Sequence, residues 1–399
     1  MKKLNFGYLI TVSLLAALIF SITIYVNPQE KSEQDISFYK PVTDILSYPL
    51  LKEKVVKNII FLIGDGMGFA HVDAARIRAT GANGRLNMER MPVTGFVKTH
   101  SANRLITDSA AAGTALSTGF KTDNGIIAMS PNGKSFMSIL EAAQKKGMST
   151  GLVVTSNITD ATPAVFASHV SSRKNQPDIA TQLIKNGVNV LLGGGREFFI
   201  PKSIKESKRD DEQSPLNEAR AKGYLIVETR QQLADAKGEH ILGLFQMDAL
   251  KTTGDEPSLA EMTQKAIALL KSNKNGFFMM VEGSQIDWGG HANNPDYVIR
   301  QVLLFDEAVK IALDFAEENK DTLVVVTADH ETGGLAIVSG NLDGSGLGFG
   351  WARKEHTAVQ VPVYAFGPQA LLFMGVQDNT DLAKKFGIAL GIGNFPPKQ

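Results

Sequence analysis

Cysteine is absent from the 399-residue chain, and histidine is scarce, with seven in all. The lack of cysteine excludes disulfides, thiolate zinc sites, iron–sulfur clusters, a thiol nucleophile and acylation at a lipobox cysteine. Any metal ion must therefore be held by Asp, Glu, His, hydroxyl groups or water. An excess of charge of one sign is also absent, because 41 basic residues balance 41 acidic ones. This balance gives no electrostatic reason to expect nucleic-acid binding.

The start of the chain is typical of a segment that directs export. Two lysines precede an apolar run over residues 6–26, which is long for a signal-peptide core and just long enough to span a bilayer. No convincing cleavage site precedes Asn27-Pro28, so we predict that residues 1–28 are a signal peptide or an uncleaved membrane anchor. A buried N-terminal helix is the alternative, but no polar side chains give it a second face. Both exported forms predict a periplasmic or extracellular protein.

Residues 29–50 are polar and contain two prolines, which indicates a linker, and residues 51–399 are expected to form the folded domain. In this second part apolar runs alternate with amphipathic segments, so the sequence predicts an α/β fold with a largely parallel central sheet and helices on both faces. The predicted strands are Val55–Ile63, Thr94–Thr99, Thr150–Thr155, Val188–Leu192, Ile241–Phe245, Phe277–Val281, Leu323–Thr327 and Val361–Phe366. The predicted helices include Phe136–Lys146, Leu259–Ser272 and Tyr297–Asn319, and Pro201–Ser214 is expected to be a surface loop.

Polar side chains follow three of these strands. Asp65 lies between two glycines after the first strand, Glu282 begins a polar stretch after the sixth, and Asp329 follows the seventh. Because ligands bind outside the carboxyl ends of parallel strands, we expect the three loops to converge on an active site. Asp65 taken alone could also be a turn residue.

Two Asp–His pairs in these loops indicate a metal site. Asp329 and His330 are adjacent, so they can reach one ion only where the chain turns away from the strand. Asp287 and His291 are four residues apart, as on one face of a helix, but the intervening Gly289-Gly290 pair favours an irregular turn. A single Asp–His pair is more often an ordinary hydrogen-bonded pair. Two pairs at strand ends favour a mixed oxygen and nitrogen site, which suits zinc.

Ser109 is the candidate nucleophile. Asp108 or Ser109 would cap a helix whose first turns are nearly all alanine, so a simple capping role is the alternative. The small residues after Ser109 would let a substrate approach closely, and a helix N-terminus favours an anion there. No histidine base is evident nearby, but coordination to a divalent cation can activate a serine hydroxyl without one.

A fourth polar stretch contains Asp160, Thr162 and, eleven residues later, Arg173. Thr162-Pro163 is typical of a helix start, with threonine as the cap and proline in the first position. Arg173 could be a surface charge or a guanidinium fork for phosphate, and the spacing alone leaves both open.

Six stretches of the sequence carry these residues or lie beside them: GDGMG at 64–68, TDSAAAGTAL at 107–116, DATPA at 160–164 with SSRK at 171–174, VEGSQIDWGGHANNP at 281–295, TADHETGG at 327–334 and EHT at 355–357. In this order, over residues 55–367, they resemble the alkaline phosphatase family. Single pieces such as GDG would be weak signals, but the ordered set is specific. The resemblance implies a three-layer α/β/α sandwich, usually a homodimer, that hydrolyses phosphate monoesters with two zinc ions and one magnesium ion.

The resemblance also implies a role for each matching residue. Ser109 would be the phosphorylated nucleophile and Arg173 the phosphate clamp. The implied ligands are Asp287, His291 and His356 for one zinc, Asp65, Asp329 and His330 for the other, and Asp65, Thr162, Glu282 and, through water, Asp160 for magnesium. His356 has no spacing signal of its own. The other histidines, which are His71, His100, His169 and His240, match no ligand position and are expected to be structural or surface residues.

One position departs from the family's enterobacterial form, which has a lysine after the zinc-binding aspartate where this chain has Trp288. Trp288 would line the substrate site without supplying that charge, so phosphate affinity and magnesium occupancy are expected to differ. Two other functions remain as alternatives. A phosphodiesterase or sulfatase could use the same metal scaffold, although the C/S-x-P-x-R setting of sulfatases is absent around Ser109. A non-catalytic surface protein could keep the fold, but the intact ligand set disfavours it.

Overall fold

A ten-stranded sheet organises the computed structural model, which describes residues 35–42 and 56–398. Two further pairs of short strands lie outside this sheet. In chain order the strands are β1 Asn58–Gly64, β2 Val93–Lys98, β3 Ser149–Asn157, β4 Val190–Gly194, β5 Leu225–Val227, β6 Ile241–Leu244, β7 Phe277–Gly283, β8 Thr322–Thr327, β9 Glu331–Thr332, β10 Leu335–Ser339, β11 Gly348–Trp351, β12 His356–Thr357, β13 Val361–Phe366 and β14 Gly375–Asp378.

The order of the large sheet is β14-β2-β13-β8-β1-β7-β3-β4-β6-β5. All neighbouring strands in it are parallel except at β13, which runs antiparallel to both β8 and β2. The central strands β1, β7 and β8 are buried along their whole length. They are therefore apolar at almost every position, as a sheet covered on both faces requires.

Two groups of helices cover the sheet. The helices are α1 Phe69–Thr80, α2 Ser109–Thr118, α3 Ile139–Lys145, α4 Ala161–Ala167, α5 Gln176–Asn186, α6 Pro215–Ala221, α7 Arg230–Asp235, α8 Leu259–Leu270, α9 Ile286–His291, α10 Pro295–Asn319 and α11 Asn379–Ala389. Helix α10 packs on α1 and α8, whereas α2 packs on α4 and α11. The expected α/β class, with a mostly parallel sheet between helical layers, is confirmed.

The eight strands predicted from the sequence are all present among the described residues, with ends that differ by a few residues. The prediction missed β5, β14 and the four short strands outside the main sheet. These strands have two to five residues each, too few for a hydrophobic pattern to mark them. The segment from Pro201 to Ser214 contains no helix or strand, as expected of a loop.

The segment 35–42 contacts the main body through Tyr39, a contact that the sequence did not predict. Tyr39 is buried, and its hydroxyl donates to Oδ2 of Asp306 on α10 at 2.5 Å. The same carboxylate accepts hydrogen bonds from the backbone N–H groups of Asn87 and Met88. Asp306 is therefore a buried carboxylate whose charge is balanced by several donors.

No helix within residues 35–42 and 56–398 is long and apolar enough to cross a membrane. The predicted signal peptide or anchor over residues 6–26 lies outside the described residues.

Candidate active site

The loops that carry the candidate residues leave neighbouring strands at the same edge of the sheet. Ile63 of β1 is paired with Glu282 of β7 on one side and with Thr327 of β8 on the other. Asp65 and Asp329 follow directly beyond these paired ends. Parallel pairing of β8, β1 and β7 thus brings the three polar loops together, as the sequence predicted.

Asp65, Asp329 and His330 form a cluster that we call the inner group. Their ligand atoms lie within 4.8 Å of one another, and all three residues are buried. Nε2 of His330 is 3.2 Å from Oδ2 of Asp329 and 3.6 Å from Oδ1 of Asp65. The other oxygen of Asp329 accepts the backbone N–H groups of Gly66 and His330, which fixes the carboxylate in place. The chain turns away after β8, so the adjacent Asp329 and His330 reach one point, as expected.

Two oxygens of the inner group lack a hydrogen-bond partner. Oδ1 of Asp65 and Oδ2 of Asp329 are buried and unpaired. Burial and then the charge of Asp329 hold the pKa of Asp65 well above its usual range. Burial and the charge of Asp287 raise the pKa of Asp329 to about 7. Buried, unpaired carboxylate oxygens are costly, and a divalent cation between them would satisfy both. The residues therefore fit a metal ion.

Asp287, His291 and His356 form the outer group. Nε2 of His291 is 3.3 Å from Oδ2 of Asp287, and Nε2 of His356 is 3.5 Å from Oδ1 of the same residue. The two imidazole Nε2 atoms are 3.2 Å apart. Burial opposes ionisation of Asp287, but the hydrogen bond to His291 and the neighbouring imidazoles outweigh it and hold the pKa of Asp287 below its usual value. The two groups adjoin, because the rings of His330 and His356 stack with centroids 3.5 Å apart.

Each of the three histidines is oriented by its second ring nitrogen. Nδ1 of His356 donates to the Thr107 carbonyl at 2.9 Å, and Nδ1 of His291 donates to the Lys354 carbonyl at 2.5 Å. Nδ1 of His330 lies 3.3 Å from the Thr332 hydroxyl, which donates to Asp287 at 2.5 Å. In the neutral form of the ring, a donating Nδ1 leaves Nε2 with the lone pair, and in all three residues Nε2 faces the clusters. This is the arrangement found around metal-bound imidazoles.

The segment between Asp287 and His291 forms the short helix α9, so the expected irregular turn is wrong. The two glycines are compatible with the helix because their environment leaves no room for side chains. A Cβ on Gly289 would lie 2.7 Å from Val298, and one on Gly290 would lie 2.8 Å from Thr332. Close packing, and not backbone flexibility, explains the Gly-Gly pair.

Ser109 is the first residue of α2 and is buried. Asp108 is the N-cap, and its side chain accepts the backbone N–H of Ala111 at 3.0 Å. Of the two predicted caps, Asp108 therefore fills that role and leaves the serine hydroxyl free for another one. Oγ of Ser109 is 3.3 Å from Nε2 of His330, beside the inner group.

Arg173 is held between two carboxylates. Its guanidinium donates to Oδ1 of Asp160 at 3.0 Å and lies 3.6 Å from Oδ2 of Asp108. Burial opposes its charge, but Asp160 and Asp108 outweigh this and hold the pKa of Arg173 above its usual value. The side chain is about one third exposed, at 32 %. Asp108 precedes Ser109, so the structure brings Arg173 to the nucleophile end of α2.

The predicted cap of α4 needs correction. Asp160 is the N-cap, and Thr162 is the second helical residue, because the Asp160 side chain accepts the Ala161 N–H. Thr162 and Glu282 are both buried. Burial raises the pKa of Glu282 to about 8, a hydrogen bond from Ser284 opposes the rise, and the charges of Asp160 and Asp329 add to it. Glu282 is thus a further buried carboxylate at a carboxyl end of the sheet, beside Asp65 and Asp329.

Two further observations concern residues outside these clusters. Trp288 lies on α9 next to Asp287 and is 37 % exposed. A surface cavity of about 760 Å³ lies between α7 and α8, and no candidate site residue lines it.

Sequence reasoning missed Thr332, whose hydroxyl joins Asp287 to His330. Its only signal is its place two residues after His330.

A sequence model of the alkaline phosphatase family matches residues 56–347 and 344–392. The chain is 35 % identical over 411 residues to alkaline phosphatase 4 of Bacillus subtilis, covering 82 % of this chain and 87 % of the relative. It is 34 % identical over 414 residues to the alkaline phosphatase of Escherichia coli, covering 86 % and 88 %.

Solved structures agree with the sequence comparisons. Alkaline phosphatase from the Antarctic bacterium TAB5 matches with a TM-score of 0.77 at 33 % identity, covering 85 % of this chain and 98 % of the other. A variant of the TAB5 enzyme with magnesium bound matches with a TM-score of 0.76 at 32 % identity, covering 85 % and 99 %. Thermus thermophilus alkaline phosphatase matches with a TM-score of 0.78 at 26 % identity, covering 86 % and 92 %.

Proposed function

This chain belongs to the alkaline phosphatase family and is a hydrolase of phosphate monoesters, and we propose that it works through a phosphoserine formed on Ser109. The observation that carries the proposal is the position of the hydroxyl. Oγ of Ser109 lies at the N-terminus of α2, 3.3 Å from Nε2 of His330. A serine beside cation ligands needs no separate histidine base, because coordination lowers the cost of ionising the hydroxyl.

We propose two zinc ions and one magnesium ion, on the basis of donor chemistry. The mixed carboxylate and imidazole donors of the inner and outer groups suit zinc. An all-oxygen set suits magnesium, and the TAB5 variant holds magnesium in a relative. The proposed magnesium ligands are Asp65, Thr162, Glu282 and, through water, Asp160. When bound, such ions stabilise negative charge on the attacking and leaving oxygens.

The reaction then proceeds in two displacements. Oγ of Ser109 bonds to phosphorus as the bond from phosphorus to the ester oxygen breaks, and the alcohol leaves with a proton. Water next bonds to phosphorus, the bond to Oγ breaks, and inorganic phosphate is released. The Arg173 guanidinium, oriented by Asp108 and Asp160, binds two phosphoryl oxygens throughout. Trp288 lies beside the substrate site and adds no charge to it.

Replacement of the nucleophile gives the direct test. Ser109→Ala is expected to lower turnover of p-nitrophenyl phosphate at least roughly a thousandfold, because the first displacement loses its acceptor atom. Metal content should stay nearly unchanged, since the ions are held mainly by charged ligands. Wild-type enzyme stopped in acid with labelled phosphate should carry the label on the peptide that contains Ser109, as mass spectrometry will show.

Ser117 offers a matched control on the same helix. Its buried hydroxyl donates to the Val165 carbonyl at 3.0 Å, so Ser117→Ala should lose about 1 kcal/mol of stability but keep turnover and labelling. Label on a residue other than Ser109, or full turnover in Ser109→Ala, would refute the assignment.

The phosphodiesterase and sulfatase alternatives can be separated from the proposal with three substrates. A phosphomonoesterase should release p-nitrophenol from the phosphate monoester faster than from the bis-ester or the sulfate, because the clamp and the cations favour a dianion. Chelation with EDTA should abolish the release. Faster hydrolysis of the bis-ester or the sulfate would favour the corresponding alternative.

Export, homodimer formation and membrane attachment through residues 6–26 are parts of the proposal that rest on the sequence and the family. The mass of the mature protein distinguishes a cleaved signal peptide from a retained anchor. Its sedimentation in detergent-free buffer and after detergent extraction gives the oligomeric state and the attachment.

A further inference from the structure

His169 lies outside both ligand groups, and its two ring nitrogens face hydrogen-bond acceptors. Nδ1 is 2.9 Å from the Ala128 carbonyl oxygen, and Nε2 is 3.0 Å from Oε1 of Glu141 on α3. A neutral imidazole has only one N–H group, so it can donate to only one of these oxygens. Both contacts are satisfied together only by the imidazolium form, which donates from both nitrogens.

The chain on either side of His169 is also fixed. Its backbone N–H donates to Oε1 of Gln182 at 2.7 Å, and its carbonyl accepts Nε2 of the same side chain at 3.2 Å. The next residue, Val170, exchanges two backbone hydrogen bonds with Ile127, at 3.0 and 3.2 Å. Gln182 and Ile127 therefore fix the backbone of residues 169 and 170, where the segment that reaches Arg173 begins.

Like Val170, Arg173 is hydrogen-bonded through its backbone to the segment 125–128. Its backbone N–H donates to the Gly125 carbonyl at 2.7 Å. The Gly125 N–H in turn donates to Oδ2 of Asp108 at 2.9 Å. Residues 125–128 thus lie between the segment that carries Arg173 and the residue that caps the nucleophile helix.

Thr114 of helix α2 makes further hydrogen bonds to residues 125–128. Its hydroxyl donates to the Ile126 carbonyl at 3.2 Å and accepts the Ala128 N–H at 2.9 Å. Ala128 has φ of 45°, a left-handed conformation that is unfavourable for alanine. Such a conformation persists only where its surroundings hold it. Here Ala128 is held by the hydroxyl of Thr114, by the His169 ring and by the backbone N–H of Phe136, which donates to the Ala128 carbonyl at 2.8 Å.

We propose that His169 is a positioning residue whose imidazolium, held between Glu141 and the Ala128 carbonyl, sets the place of Arg173 relative to Ser109. The inference rests on the proposed function, because it takes Arg173 as the phosphate-binding side chain. His169 acts through the backbone of residues 125–128 and 169–173 and does not touch the substrate.

The position of His169 makes this arrangement sensitive to pH. Burial opposes protonation, but the hydrogen bond and charge of Glu141, together with the Ala128 carbonyl, raise the pKa of His169 above its usual value. A raised pKa favours the imidazolium, which is lost as the pH rises through that pKa, when one of the two hydrogen bonds must break. Lys145 lines the same cavity as Glu141 and His169, so it is the other charged group to consider.

The test measures phosphate inhibition constants and KM from neutral to alkaline pH on metal-loaded wild-type protein and four variants. His169→Gln removes the imidazolium. Glu141→Gln removes its counter-charge but can keep the capping contact with the Ser138 N–H, since glutamine also serves in a capping box. Arg173→Lys removes the fork. His100→Gln is the matched control, because His100 also lies near a carboxylate, Asp378 at 3.5 Å. Melting temperature and metal content are recorded for each protein.

We expect His169→Gln to raise KM and the phosphate inhibition constant roughly fivefold at neutral pH with little change in kcat, in line with other mutations that act through a network. Glu141→Gln should move the pH-dependent weakening of wild-type phosphate binding to lower pH, and His100→Gln should match wild type. The positioning role is overturned if Arg173→Lys weakens phosphate while both His169→Gln and Glu141→Gln keep the wild-type profile. If Arg173→Lys itself leaves phosphate binding unchanged, the phosphate clamp is wrong, and the inference falls with it.

Discussion

The inner and outer ligand groups use similar residues in different surroundings. All three inner side chains are at most 10 % exposed, whereas His291 of the outer group is 41 % exposed. The inner group contains two carboxylates and one imidazole, and the outer group contains one carboxylate and two imidazoles. One group is therefore buried and rich in negative charge, while the other is closer to solvent and rich in groups that can carry positive charge.

The pKa directions show what this difference means. In the inner group, burial and neighbouring carboxylates raise the pKa values of Asp65 and Asp329. In the outer group, imidazoles outweigh burial and lower the pKa of Asp287. Among the described residues, burial and neighbouring carboxylates outweigh the charge of Arg173 at Asp65, whereas imidazoles outweigh burial at Asp287. We therefore expect the inner group to depend more strongly on a bound ion.

Asp329→Asn should have the largest effect. It should lower activity when metal is bound and raise the melting temperature when metal has been removed. With metal bound, we expect activity to fall at least roughly a hundredfold, since Asp329 is a proposed direct ligand and should matter no less than the residues that orient ligands. In EDTA, the same variant should melt roughly a few degrees above wild type, because the raised pKa of Asp329 means that stability is lost as pH rises through about 7. Asparagine cannot ionise and keeps an oxygen for the Gly66 N–H.

The measurement is a pair of melting curves at mildly alkaline pH, with and without chelator, beside an assay of metal per chain. His291→Gln is the control from the outer group, and its apoprotein should gain no stability. A chelated Asp329→Asn protein that melts below wild type would contradict the view that uncompensated negative charge destabilises the inner group.

A smaller difference between the inner and outer groups is expected in the order in which they lose their metal ions. The outer ion should leave first in excess EDTA, because solvent reaches His291 and protons compete for its imidazole. We expect two phases of release, of which His291→Gln accelerates only the faster one. The check is stopped-flow detection of released zinc. Release in one phase, or acceleration of the slower phase by His291→Gln, would mean that the two groups do not differ in accessibility.

The sequence predicted the part of the site that depends on strand order alone. Asp65, Glu282 and Asp329 each follow or end an apolar strand, and parallel neighbours bring such ends together. It could not predict the part that depends on pairing between distant short strands. His356 reaches the outer group because β12 pairs with β9, where His356 lies opposite Thr332. Two-residue strands carry no periodic pattern, so only the family resemblance identified His356.

The fold shows the same division between features that periodicity predicts and features that depend on contacts between distant segments. Long apolar strands and the amphipathic α10 were predictable from periodicity, because burial on both faces or on one stripe determines residue type. The antiparallel direction of β13 could not be predicted, because hydrophobicity does not encode strand direction. The helix at Gly289-Gly290 was missed for a related reason. Its glycines are explained by contacts with Val298 and Thr332, which lie on other elements.

The smallest expected effect concerns Trp288, which stands beside the outer group's Asp287 and is 37 % exposed. Trp288→Lys should tighten inorganic phosphate by about 1 kcal/mol, because a cation would then stand near a dianion in a partly solvated site. Tighter product binding should slow release, so turnover should fall where release limits it. Trp288→Met is the control that removes the ring without adding charge. Phosphate inhibition constants for the three proteins decide the matter, and an unchanged or weaker constant in Trp288→Lys would mean that position 288 does not face the phosphate.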